Sequence, residues 1–128
     1  MHAGWRGAVA GVLEETITAM ERLGADRRTL AAAIGPCIRQ PSYEIGPDLR
    51  DAVLAHDAAN VRFFAPGQQP DRWQFDLAGY CAARLHGLAT IDIVDADTLP
   101  DPARFWSHRR RTLAGGGPIG HQISAIML

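Results

Sequence analysis

The sequence contains few cysteines and no long apolar run, and both absences narrow the kinds of protein it can encode. The two cysteines, Cys37 and Cys81, lie far apart and match no CxxC pattern, so we expect neither a disulfide framework nor a local zinc finger. No apolar stretch approaches the about 20 residues that span a bilayer. The first residues also lack the charged-then-apolar layout of a signal peptide. We therefore expect a cytoplasmic protein without a membrane partner.

An excess of charge of one sign is also missing. The formal net charge is −1, from 13 basic and 14 acidic residues, whereas binding to nucleic acid requires a basic surface excess. The basic run at residues 109–111 is short and typical of a solvated loop. We expect no nucleic-acid partner.

The chain has enough apolar residues, 47% of 128, for one packed domain and is too short for two. Apolar residues at helical spacing predict a helix over residues 8–23 that Gly24 ends. Pro47 is suited to begin a second helix and Asp76 to cap a third. The remaining predictions are a buried strand at residues 30–34, further strands at 89–98 and 122–128, and a loop at 65–74.

Helices and strands that alternate in this way indicate a layered α/β (α+β) domain with a mixed β-sheet flanked by helices. We expect one domain over residues 1–128. In layered folds a glycine-rich turn into a helix normally follows a strand, and no strand precedes residues 2–7. Either this turn opens the domain or a preceding half is missing.

The turn at residues 2–7 has the composition of an anion site. Gly4 and Gly7 would let a ligand approach the backbone, and Arg6 would supply positive charge at the start of a helix. His2 can serve as a metal ligand, a general base or a proton shuttle. The alternative is a frayed terminus in which Trp5 anchors packing and Arg6 is solvated.

Residues 34–46 form a second candidate segment, a shaped loop after a predicted strand. Tyr43 and Glu44 can contact a ligand there, or Tyr43 can cap the core with its hydroxyl in water. Cys37 is more typical of a buried thiol than of a nucleophile or metal ligand.

Residues 105–111 form the third candidate segment, followed by a glycine-rich stretch. Arg109 and Arg110 suit a phosphate or carboxylate ligand, or they are solvated. The histidines and cysteines lie at no recognised zinc-ligand spacing.

Several stretches, taken in order, are similar to the motifs of one family. They are HAGWRG, IGPCI followed by YEIG, FDL, FWSHRR and GHQISAI. The sequence thereby resembles the laccase-domain family, also called the multicopper polyphenol oxidoreductase or peptidoglycan editing factor family, over essentially all 128 residues. The resemblance implies a layered α/β fold with a mixed sheet, related to the deamidase domain of cytotoxic necrotizing factor.

The resemblance also implies an activity and a metal. Members are similar to zinc enzymes that cleave adenosine, inosine or methylthioadenosine with phosphate and that deaminate adenosine, whereas copper belongs to the older family name. A purine nucleoside and phosphate are therefore the expected partners. On this basis we assign catalytic roles to His2 and Arg6. The residues expected to bind substrate are Gly4, Trp5, Gly7, Tyr43, Arg109 and Arg110.

The chain departs from the family pattern most clearly at the metal site. In the family a His of a QVH segment, a Cys of a TDC segment and the His of HAGWRG hold the metal, and only His2 has a counterpart here. Because a catalytic zinc normally takes three protein ligands, we expect this chain to be the C-terminal half of a family member, truncated at its N-terminus. The missing half would leave an unpaired sheet edge that favours self-association.

Two smaller departures concern single positions. His121 stands where many members have arginine, and His108 where the family often has tyrosine. The first change removes a cation that would contact an anion.

Three other functions stay open at this point. The older label implies a polyphenol oxidase, although five scattered histidines do not build a multicopper cluster. A hydrolase that edits peptidoglycan precursors would use the same site residues. A half domain without catalysis is the third alternative.

Overall fold

The computed structural model describes residues 1–118 and 120–126. The helices are α1 (Trp5–Val9), α2 (Val12–Arg22), α3 (Pro47–His56), α4 (Leu77–Arg84) and α5 (His108–Leu113). The strands are β1 (Ala31–Ile34), β2 (Glu44–Ile45), β3 (Phe64–Pro66), β4 (Trp73–Phe75) and β5 (Thr90–Ile93). Short 3-10 helices, Gln40–Ser42 and Ala58–Phe63, precede β2 and β3. Within the described ranges, none of these helices has the length and apolar character needed to cross a membrane.

The strands of the described residues form two sheets. β1 and β5 pair in parallel, with Ala31 opposite Thr90 and Ile34 opposite Ile93. β4 lies between β2 and β3 and runs antiparallel to both. The layered α/β class is confirmed, and the parallel and antiparallel pairings expected in one mixed sheet are divided between two.

The helix predicted over residues 8–23 is present as α2 (Val12–Arg22), but the chain is interrupted before it, so the predicted start is wrong. Gly11 separates α1 from α2 in a left-handed conformation with φ of 89°. A Cβ atom disfavours this conformation, and glycine therefore permits the change of direction. Leu13 and Ile17 of α2 are buried, and Gly24, with φ of 97°, follows the helix end as predicted.

β1 confirms the strand predicted at residues 30–34, but it is not a buried strand. Ala31 and Ala33 are exposed, whereas Ala32 and Ile34 are partly buried. The reason is that the described residues cover one face of the β1–β5 sheet and leave the other open.

β5 is shorter than the strand predicted at residues 89–98. Ile91 packs against the core, whereas Ile93 and Val94 are 38% and 45% exposed. A single parallel bridge from Cys37 to Asp97 continues the pairing beyond the strand.

Residues 65–74, predicted as a loop, contribute to a β-hairpin. Phe64 lies opposite Phe75 and Pro66 opposite Trp73. Two strands of three residues each are too short to show the alternation by which strands are recognised.

Two helix starts are as predicted. Pro47 is the first residue of α3, and Asp76 caps α4 by accepting the N–H of Gly79 at 2.9 Å. A Cβ atom on Gly79 would lie 2.2 Å from Oδ2 of Asp76, so the capping carboxylate occupies the space that a side chain at residue 79 would take.

The core lies where helices α2, α3 and α4 meet the three-stranded sheet. Phe75 and Tyr80 are completely buried. The Phe75 ring stacks on Phe64 with centroids 4.8 Å apart, and the Tyr80 ring meets Phe63 edge-on at 5.7 Å. The Tyr80 ring also lies 5.8 Å from that of Phe75, and this contact ties the hairpin to α4.

The C-terminal part differs most from the predictions. The stretch expected as a solvated loop contains α5, which Ser107 caps by accepting the N–H of Arg110. Residues 122–126 of the strand predicted at 122–128 form no strand, and residues 127–128, like residue 119, lie outside the described residues. A strand requires a partner for its backbone groups, and the described chain supplies none to residues 122–126.

Candidate functional site

The HAGWRG motif is held against the core through α1. Ala8 is completely buried, and Ala3, Trp5 and Val9 pack against the core cluster. α1 also contacts α2 and α3. Trp5 anchors the packing, as the alternative interpretation expected, and the packing of α1 fixes the backbone from which Arg6 projects.

Arg6 is exposed and stacked. Its guanidinium carbon lies 4.3 Å from the centroid of the Trp5 ring, an arrangement in which the ring face attracts the cation. α1 has only five residues, so its dipole is small and an anion at this turn would depend on the Arg6 charge instead.

The two glycines of the motif are not required by close packing. A Cβ atom on Gly4 would lie 3.9 Å from Nε2 of His2, and one on Gly7 would lie 3.5 Å from Cγ1 of Val12. Both are ordinary contact distances. Room for a ligand therefore stays the predicted reason for glycine at both positions.

Tyr43, in the YEIG motif, is affected by charges from the HAGWRG and FWSHRR motifs. Its ring is half-buried and lies 6.0 Å from that of Phe75. Burial raises the pKa of the Tyr43 phenol, and the positive charges of Arg109 and Arg6 oppose the increase. Charges from two separate motifs therefore act on the same hydroxyl.

Arg109 is positioned by a backbone contact. Its Nη2 donates to the carbonyl oxygen of Glu44 at 2.7 Å, which docks α5 against β2. The Glu44 carboxylate turns away from this contact, since its Oε2 accepts the N–H of Gln68 at 2.6 Å. The structure thus places Arg109 on the backbone next to Tyr43, and it directs the Glu44 side chain to the hairpin.

The neighbouring arginines are occupied by the fold. Nη1 of Arg110 donates to the carbonyls of Thr98 and Leu99 at 2.8 Å each, and its Nη2 donates to Phe105. Nε of Arg111 donates to Gly117 at 2.8 Å. The solvated loop expected at residues 109–111 is therefore wrong, because irregular backbone requires donors for its carbonyls. Arg110 therefore stabilises the fold by binding three backbone carbonyls.

His2 is the predicted metal ligand, and it is exposed. Among the residues that the structure describes, no three His, Cys, Asp or Glu side chains converge as a metal site. A zinc ion held by this chain alone does not fit the donors present, since a catalytic zinc takes three protein ligands.

Both cysteines are free thiols. Burial raises the pKa of Cys81 to about 11, and it also raises the pKa of Cys37, with the charge of Arg39 acting in the opposite direction. Neither group has the lowered pKa of a nucleophilic thiol.

One local arrangement escaped the sequence analysis. A Cβ atom on Gly120 would lie 2.2 Å from Cε2 of Trp106, and Nε2 of Gln122 donates to the Trp106 carbonyl at 3.0 Å. The GHQ stretch thus folds against the FWSHRR stretch. The sequence signal for this contact was the spacing of Gly120 and Gln122. His121, which departs from the family pattern, has an exposed side chain.

A family model described as multi-copper polyphenol oxidoreductase laccase matches residues 1–128. The chain belongs to this family. The resemblance carried by HAGWRG and the later motifs is confirmed.

Named relatives agree with this membership. A purine nucleoside phosphorylase of Pseudomonas aeruginosa is 37% identical over 116 residues, which cover 89% of this chain and 47% of the relative. The purine nucleoside phosphorylase YfiH of Escherichia coli is 35% identical over 118 residues, which cover 89% of this chain and 46% of the relative.

A solved structure agrees as well. A Neisseria meningitidis protein matches with a TM-score of 0.77 and 30% identity, over 85% of this chain and 44% of that chain. The chain therefore spans somewhat less than half the length of the relatives it matches.

Proposed function

We propose that this chain is the C-terminal part of a purine nucleoside phosphorylase in which Arg6 and Arg109 bind phosphate beside Tyr43. The observation that carries the proposal is the contact of Arg109 with the Glu44 carbonyl beside Tyr43, and the charges of Arg109 and Arg6 both act on the Tyr43 phenol. The names of the Pseudomonas aeruginosa and Escherichia coli relatives supply the substrate class.

These side chains have the charge and the hydrogen-bond donors that phosphorolysis requires. A phosphate oxygen bonds to C1′ of the ribose while the C1′–N bond to the purine breaks, and the base leaves with a proton. Two guanidinium groups offset the phosphate charge and orient it through paired N–H donors. Because its pKa is raised, the Tyr43 phenol keeps its proton at neutral pH and can donate a hydrogen bond to a phosphate or ribose oxygen.

The other predicted residues divide into two groups. Gly4, Trp5 and Gly7 lie in the same motif as Arg6 and line the proposed site. Arg110 is left out, because its guanidinium binds three backbone carbonyls.

The proposal gives His2 one ligand position for zinc, with the remaining ligands supplied from outside this chain. No reaction step is assigned to the metal, because the described residues form no zinc site by themselves. Methylthioadenosine as a substrate and the deamination of adenosine rest on the family resemblance alone.

The test is an assay of ribose-1-phosphate release from inosine or adenosine with phosphate. It compares the 128-residue chain with a version extended upstream to the length of the relatives. We expect activity in the extended protein and none in the shorter chain. If the extended, zinc-loaded protein releases no ribose-1-phosphate, the proposed function is wrong.

Variants of the extended protein test the arginine roles. Arg6→Gln and Arg109→Gln should each raise the KM for phosphate by about tenfold or more, since hydrogen bonds to a charged group contribute about 1.5–3 kcal/mol. Arg22→Gln, at an exposed position on α2, is the matched control and should leave this KM unchanged.

The same preparation separates the alternatives. Copper at several equivalents per chain together with phenol oxidation would support the polyphenol oxidase. Hydrolysis of nucleotide-linked muramyl substrates without phosphorolysis would support the editing hydrolase.

A further inference from the structure

A pocket lies between α3 and the β3–β4 hairpin, and the residues that line it lie outside the three candidate segments. Its volume is about 340 Å³, within the range of small-molecule sites. Val61, Phe64 and Pro66 supply an apolar floor, and Arg50 and Arg72 supply positive charge.

Arg50 lines the pocket and forms no hydrogen bond through its Nε. Its guanidinium carbon lies 4.6 Å from the centroid of the Trp73 ring. Its Nε is buried and has no hydrogen-bond partner within the described part of the chain. A buried N–H without an acceptor is unfavourable. Arg50 as a whole is half-buried and lines the pocket, so its guanidinium can meet a ligand oxygen there.

Arg72 is held at the same pocket by the hairpin loop. The Gly67 N–H donates to the carbonyl of Arg72 at 2.9 Å, and a Cβ atom on Gly67 would lie 2.6 Å from that carbonyl. The guanidinium crosses over Gly46, whose Cβ position would be 2.8 Å from Nη1 of Arg72. Neither Arg50 nor Arg72 forms an ion pair among residues 1–118 and 120–126.

The charge of the pocket limits what it can bind. Asp71 also lines it, so two guanidinium groups face one carboxylate and leave one uncompensated positive charge. A ligand with one negative charge and an apolar body matches this balance. Carboxylates match the planar N–H fork of arginine especially well.

We propose that this pocket binds a small amphipathic carboxylate, whose charged group contacts Arg50 and Arg72 and whose apolar body contacts Phe64 and Val61. The inference uses residues that the phosphorolysis proposal does not use, so either can fail without the other.

The test uses 3-phenylpropionate as the probe and its uncharged amide as the matched ligand. Titration calorimetry on the 128-residue chain and on the upstream-extended protein should show saturable binding of the carboxylate. The amide should bind about tenfold more weakly or not at all. Equal binding of amide and carboxylate, or no binding of either, would overturn the proposal.

Variants locate the site. Arg50→Gln and Arg72→Gln should each weaken carboxylate binding by about tenfold, while Arg22→Gln should not. Circular dichroism checks that each variant is folded, and Arg72→Gln, at an exposed loop position, serves if Arg50→Gln does not fold. Unchanged affinity in Arg72→Gln would contradict the assignment. Inorganic phosphate is added as a competitor. Displacement of the probe by phosphate would indicate a general anion site, and no displacement would indicate a carboxylate site.

Discussion

Burial and charge act in opposite directions on single ionisable residues near the candidate site. Burial raises the pKa of the Tyr43 phenol while Arg109 and Arg6 lower it. Burial raises the pKa of both cysteines, that of Cys81 to about 11. At neutral pH all three groups therefore keep their protons, and Tyr43 is a hydrogen-bond donor rather than a base.

Removing a neighbouring charge is expected to raise the pKa of Tyr43 further, because positive charge favours the phenolate. Arg6→Gln and Arg109→Gln should each move the midpoint to higher pH. The midpoint is measured by pH titration of the Tyr43 ¹³Cζ signal in NMR spectra. Arg22→Gln is the control, and an unchanged midpoint in both site variants would show that the three side chains do not cluster.

At the scale of elements, signals confined to a few residues were readable from the sequence. Asp76 caps α4, Pro47 begins α3 and Gly24 follows α2 as predicted. The break at Gly11 was missed, since the apolar spacing continues across it and only the packing of α1 shows that the chain turns there.

This break gives a stability prediction. Gly11→Ala places a Cβ atom in a left-handed conformation (φ of 89°) and should lower the free energy of unfolding by about 1–2 kcal/mol. Gly7→Ala is the control within the same segment. It meets only an ordinary contact with Val12 and should be neutral or stabilise α1 by up to about 1 kcal/mol.

Urea unfolding followed by circular dichroism measures both values. If Gly11→Ala and Gly7→Ala change stability equally, the left-handed conformation at Gly11 is wrong.

At the scale of the whole molecule, the β1–β5 sheet leaves an edge and a face open within the described residues. Parallel sheets are normally covered on both faces, yet here Ile93 and Val94 are 38% and 45% exposed. The relatives are about twice as long as this chain. We propose that the 128-residue chain self-associates through the open edge of β5.

Light scattering coupled to size-exclusion chromatography should show a mass that rises with protein concentration. Ile93→Lys should reduce the association, because charge on an edge strand opposes pairing. Leu23→Lys changes a residue that is 89% exposed at the end of α2 and should have no effect. A monomer at every concentration would contradict the proposal.

The sequence by itself determined the family, the α/β class, the helix caps and the motifs that contain Arg6, Tyr43 and Arg109. Each of these depends on residue types at short spacing. Only the tertiary structure decided that the charges of Arg6 and Arg109 both act on Tyr43, that Arg110 is used by the fold, and that Arg50 and Arg72 share a pocket. These outcomes depend on contacts between segments far apart in the chain, and packing of the buried core sets those contacts.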